Sequence, residues 1–210
     1  MKETKKNILL LSLFCVILVI IRIIRTEQFS FIFMFWNLFL AFIPLGISNY
    51  LTNTKKTISN LKLSTLTIIW LLFLPNAPYI VTDLFHLHKR DYLPIWFDLI
   101  LILMFAITGL YLFYISLNQA IVLTKNKFPN LYKPQFLILL FLIVSYGVYI
   151  GRFLRLNSWD IIDPIGLVKT CLSSILYLPR LKDMCCFTVV YSIFLGFIFL
   201  IIKPVLKPIK

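Results

Sequence analysis

The chain has 210 residues, of which 60% are hydrophobic and 14% charged, with 20 Phe against 6 Gly and a mean hydropathy of +0.94. Soluble domains carry about 25% charged and about 45–50% apolar residues, so an ordinary water-soluble core is excluded and the lipid bilayer is the expected solvent. The formal net charge of +13 would suggest nucleic acid in a soluble protein, but here it must first be divided between the two sides of a membrane.

A helix needs about 20 apolar residues to cross a hydrocarbon core of about 30 Å. Six such stretches are separated by charged residues, at 7–24, 29–50, 62–85, 94–118, 134–154 and 186–202. The expected fold is therefore all-α, a polytopic transmembrane bundle forming one domain over residues 1–210. The first stretch follows Lys2, Lys5 and Lys6 as a secretion signal would. No small-x-small cleavage site follows it, so it reads as an uncleaved span.

The third stretch contains Pro75 and Pro78. Each removes a backbone donor and pushes the residue before it out of the helical region, so the span is expected to break there. Asn76 is the expected cap of a restarted helix that has Pro78 in its first turn. Such a restart would aim free N–H groups into the membrane, although a kink satisfied by neighbouring groups is the alternative. Beyond it Asn76, Tyr79, Asp83, His86 and Arg90 are spaced 3, 4, 3 and 4, which predicts one stripe on an α-helix. Asp83 one turn from His86 is the arrangement of a general base, the carboxylate holding the imidazole tautomer; a snorkelling interfacial histidine is the alternative.

Asp98, near Trp96, lies five residues into the fourth stretch. The fifth ends Gly147-x-x-x-Gly151-Arg152 and continues through Arg155, Asn157, Ser158, Trp159 and Asp160. The two glycines offer a close-approach face, and Trp159 suits the membrane interface. Ionisable groups at such depths are functional candidates by default. Near 165–178 the polar residues Lys169, Ser173 and Tyr177 recur at i, i+4 after Pro164. This predicts an amphipathic helix lying along the interface rather than a seventh span.

The four cysteines do not make a disulfide framework. No Cys/His metal spacing is present, and no metal or cofactor is expected. Cys185 and Cys186 are adjacent at the start of the last stretch.

Sorting the charges by alternate linkers divides them unevenly. One side holds Lys2, Lys5, Lys6, Lys55, Lys56, Lys62, Lys125, Lys127, Lys133, Lys203, Lys207 and Lys210, opposed only by Glu3. The other holds all six arginines (Arg22, Arg25, Arg90, Arg152, Arg155 and Arg180) with Lys89, Lys169 and Lys182. Against these stand seven acids, Glu27, Asp83, Asp91, Asp98, Asp160, Asp163 and Asp183. Basic residues near span ends stay on the cytoplasmic face, so both termini are expected in the cytoplasm of a cell membrane, with anionic phospholipid as partner to the lysines. Nucleic acid is not expected, because the charge is spread in triplets along membrane borders rather than in a groove.

The segments LPNAPYIVTDLFHL and GRFLRLNSWD resemble the signatures of a bacterial family of integral membrane proteins catalogued as domain of unknown function 1361. The resemblance covers nearly the whole chain in hydropathy. It implies a multi-span membrane protein and supplies no activity.

Three functions compete. In the first, the extracytoplasmic face forms a polar site for an anionic lipid or envelope head group, built from Asn76, Tyr79, Asp83, His86, Asp98, Arg152, Arg155, Asn157 and Asp160. Its enzyme version makes His86 and Asp83 the catalytic pair and the arginines the clamps. The second is a small transporter using the broken third span, and the third an accessory or structural subunit in which the charges form a lattice of ion pairs.

Overall fold

The computed structural model describes residues 2–54, 58–87, 93–127, 134–156, 160 and 162–204. Among these every regular element is a helix. They run α1 (Lys2–Thr26), α2 (Phe33–Asn53), α3 (Asn60–Phe73), α4 (Asn76–Tyr79), a 3-10 segment (Ile80–His86), α5 (Ile95–Lys127), α6 (Pro134–Phe153), α7 (Pro164–Leu176) and α8 (Leu178–Ile202). Six helical stretches are long and apolar enough to cross a membrane: Glu3–Thr26, Phe33–Asn53, Asn60–His86, Ile95–Lys125, Gln135–Phe153 and Leu178–Ile202. These are the six expected spans.

Two boundaries differ from the sequence reading. The last helix begins at Leu178 rather than near 186, because Pro179 sits in its first turn, where a missing N–H costs nothing. Arg180, Lys182 and Asp183 then occupy helical turns that a count of apolar residues leaves out. Helix α5 has 33 residues, about 50 Å at 1.5 Å per residue, so it outruns the hydrocarbon.

The stretch near 165–178 does form a helix, α7. The Asp163 carboxylate accepts from the Gly166 N–H at 3.0 Å and caps its start. Its 13 residues extend only about 20 Å, too short for a span.

The chain groups into two compact units, Met1–Gln119 and Ala120–Pro208. In the first, the buried face of α5 carries Leu101, Ile102, Phe105, Leu112 and Phe113, and its polar side chains bond to three other helices. Thr108 Oγ1 meets Cys15 Sγ of α1 at 3.5 Å, and Ser116 Oγ meets Ser48 Oγ of α2 at 3.1 Å. The indole of Trp70 in α3 donates to Ser116 Oγ at 2.8 Å, while Gln119 accepts from Ser48 and donates to Asn49, each at 2.6 Å. Interhelical bonds of this kind hold helices together where lipid offers no hydrophobic contrast. In the second unit α6 and α8 run antiparallel, as the ring pairs Phe153–Phe187 at 5.3 Å and Phe141–Phe199 at 5.8 Å require.

The third span is interrupted at the two prolines, as the sequence demands. The form of the interruption is a kink. Leu74 and Pro75 keep right-handed helical dihedrals, and the amides of Ala77 and Tyr79 bond back to the carbonyls of Leu74 (3.4 Å) and Pro75 (2.9 Å). Pro75, not Asn76, is the N-cap, and the Asn76 amide instead donates to the Phe73 carbonyl at 3.0 Å. Two amides of the expected fan of free N–H groups, those of Ala77 and Tyr79, are thus satisfied locally. Gly109 of α5 permits the kink to sit close. A Cβ there would stand 2.5 Å from the Ala77 carbonyl oxygen.

Candidate functional site

The first unit gathers charged side chains into one layer. Arg22 lies four residues before the end of α1, Asn37 four after the start of α2, Asp83 three before the end of the 3-10 segment, and Asp98 three after the start of α5. With rises of 1.5 Å per α-residue and 2.0 Å per 3-10 residue, each sits about 4.5–6 Å inside its own helix end. All four helix ends lie on one side by topology.

Burial divides the layer. Arg22 and Asp83 are each 1% exposed and Asp98 is 4% exposed, whereas His86, one 3-10 turn beyond Asp83, is exposed. Arg22 and Asp98 make a forked ion pair, Nε to Oδ1 at 2.8 Å and Nη2 to Oδ2 at 3.4 Å. The guanidinium lies over the Phe31 ring at 4.3 Å from its centroid, and Nη1 has no hydrogen-bond partner among the described residues. The Thr26 hydroxyl finishes α1, donating to the Arg22 carbonyl (2.8 Å) and accepting from the Gln28 N–H (3.2 Å).

Asp83 is held from a different helix. The Asn37 amide of α2 donates to its Oδ2 at 2.9 Å. One turn earlier on α2, Phe33 meets the His86 ring edge-on, with centroids 5.3 Å apart. The result is a fixed carboxylate at depth and an accessible imidazole at the rim.

The sequence expected Asn76, Tyr79, Asp83 and His86 on one α-helical stripe. The winding differs. From Ile80 onward the chain makes three residues per turn, so Ile80, Asp83 and His86 are eclipsed, while Asn76 and Tyr79 belong to the short helix before it. Asp98 is engaged by Arg22. Arg152, Arg155 and Asp160 belong to the second unit. There Arg152 is half-buried in the last turn of α6, and Arg155 is exposed with a left-handed φ of 58°. That turn brings the Leu156 amide back to the Ile150 carbonyl at 3.2 Å, and the Asp160 carbonyl accepts from the Asp163 amide at 3.0 Å. Arg90 and Asn157 lie outside the described residues, as do His88, Lys89 and Asp91.

Two residues of the layer escaped the sequence reading. By hydropathy Arg22 reads only as a topological charge, although its place inside the run ILVIIRIIR marks it as costly to bury. Asn37 is the one strongly polar residue in the run from Phe31 to Ile43, a signal that points to a buried partner. Among the described residues no three His, Cys, Asp or Glu side chains gather as a metal site would require.

The sequence pattern of the family described as protein of unknown function (DUF1361) matches residues 36–201. The chain belongs to this family. The match takes in Asn37, Asp83, His86 and Asp98, leaving Arg22 and Phe31 on the N-terminal side of it. No curated protein and no solved structure matches the chain. The family and the six apolar helices together make it a multi-pass membrane protein.

Proposed function

We propose that this protein receives the polar head group of an anionic lipid or envelope component at its extracytoplasmic face, and that Asp83 and His86 form the centre of that site. One observation carries the reading: a buried carboxylate, fixed by Asn37, lies one eclipsed turn beneath an exposed imidazole. An imidazole so backed can donate to a phosphate or carboxylate oxygen, or take a proton from a head-group hydroxyl. The Arg22–Asp98 pair serves as the frame, since each neutralises the other and together they tie α1 to α5.

The assignment of this face to the outside rests on the charge count. On the same count Arg152 and Arg155 are contacts of the second unit with anionic head groups. The exposed Lys5, Lys6, Lys62, Lys125 and Lys203 face anionic phospholipid in the cytoplasmic leaflet. Binding at one face is favoured over passage through the protein because the α5 residues below the layer, Leu101, Ile102, Phe105 and Ala106, are apolar and almost fully buried.

The test is native mass spectrometry of the purified protein with vesicle lipids matched in acyl chain. His86→Ala should lose retained phosphatidylglycerol relative to phosphatidylcholine, with the helical content unchanged. Equal retention by both proteins would sink the proposal.

A further inference from the structure

Helix α2 carries two contacts to the site that are in register with it. Phe33 touches His86 and Asn37 touches Asp83. On α2 these residues are four apart, a rise of about 6 Å at 1.5 Å per residue; on the 3-10 segment their partners are three apart, about 6 Å at 2.0 Å per residue. An α-helical segment would have raised His86 only about 4.5 Å above Asp83 and turned it about 60° out of line. The 3-10 winding, seven residues long where three or four are usual, therefore matches the spacing of Phe33 and Asn37.

The two contacts act on the two soft torsions of the pair. A carboxylate turns about a broad, roughly two-fold χ2, as does an imidazole. The Asn37 amide on Oδ2 removes the first freedom, and the ring edge of Phe33 restricts the second. Asn37 is also costly in a membrane helix unless bonded, and its bond goes to the one carboxylate beneath the exposed imidazole.

We infer that Asn37, seconded by Phe33, is the positioning residue of the Asp83–His86 couple: it holds the carboxylate in the orientation that selects one tautomer of His86. The inference rests on the proposed function, since it requires that Asp83 and His86 act together. Asn37 touches no head group and acts only through Asp83.

The experiment is nitrogen NMR of the full chain in nanodiscs, with histidines labelled and His88→Gln used to assign the two imidazoles. In the parent protein, neutral His86 is expected as a single tautomer. Asn37→Leu keeps the size of the side chain and deletes its donor, and it should convert His86 to a mixture of tautomers, as should Asp83→Ala. If Asp83→Ala gives a mixture while Asn37→Leu leaves one tautomer, the positioning role is overturned and the Asp83–His86 site stands. If Asp83→Ala itself leaves one tautomer, the site reading falls and the inference with it. Should Asn37→Leu fail to fold, Asn37→Ala deletes the same donor with a smaller side chain: a mixture supports the role and a single tautomer overturns it.

Discussion

Replacing Asp98 by Leu should be among the most destabilising single changes in the first unit, and more costly than replacing its partner. The side chains of Arg22 and Asp98 are only 2% and 5% exposed, and their fork joins α1 to α5. Removing one partner of a buried pair costs about 3–5 kcal/mol, because the other charge is left uncompensated. A guanidinium cannot shed its proton, whereas a carboxyl can be buried neutral, so Asp98→Leu should cost more than Arg22→Met. The face of Phe31 beneath the guanidinium returns up to about 2 kcal/mol of cation–π attraction when desolvated, which sets the expected loss toward the lower end of the range. At about 2–4 °C per kcal/mol for a chain of this size, the thermal midpoint in detergent should fall by about 10 °C. The double variant, Arg22→Met with Asp98→Leu, should recover most of it, since well-packed apolar residues replace buried pairs at little cost. Size-exclusion survival after graded heating measures all three. If the double variant is as unstable as the sum of the singles, the pair does not couple α1 to α5 and the frame is wrongly assigned.

Three further outcomes are expected. Gly109→Ala would set a Cβ 2.5 Å from the Ala77 carbonyl oxygen and 3.0 Å from Ile80 Cδ1, an overpacking worth about 1–3 kcal/mol, read as a lower thermal midpoint; an unchanged midpoint would refute the close approach at the kink. Arg155→Gly should stabilise the protein by about 1 kcal/mol, because a left-handed φ of 58° is free for glycine and strained for arginine; this is read as a thermal midpoint higher by about 2–4 °C, whereas Arg155→Ala should not raise it. In a chain whose other cysteines are replaced by serine, membrane-impermeant maleimide should label Arg180→Cys, exposed in the first turn of α8, in intact cells, and labelling only after permeabilisation would invert the topology.

Hydropathy alone marked all six spans, because burying a helix in lipid demands a long apolar run and little else. The misplaced start of α8 has the same origin: Arg180, Lys182 and Asp183 are helical yet polar, so a rule written for hydrocarbon stops short of them. Pro75 and Pro78 announced an interruption, since a missing N–H is a property of the residue. Whether the remaining amides stay free depends on which carbonyls fall within reach, and that is a matter of three dimensions. The Asp83–His86 spacing was legible as i, i+3, but the stripe through Asn76 assumed 100° per residue. The 3-10 winding matches the spacing that α2 presents in Phe33 and Asn37, and nothing local in IVTDLFH declares it. Arg22 and Asn37 show the other gap. Each is visible as a polar residue in an apolar run, while the partner it bonds lies 76 or 46 residues away.

The threefold winding of residues 80–86 also sets the height and bearing of His86. Each step rewound from 3-10 to α would shorten the segment by about 0.5 Å and turn everything beyond it by about 20°. Six steps would draw the imidazole inward by about 3 Å and swing it about a third of a turn, off the rim and away from Phe33. The segment is a screw thread with His86 at its tip, and its pitch fixes how far the ring stands beyond Asp83 and which way it faces.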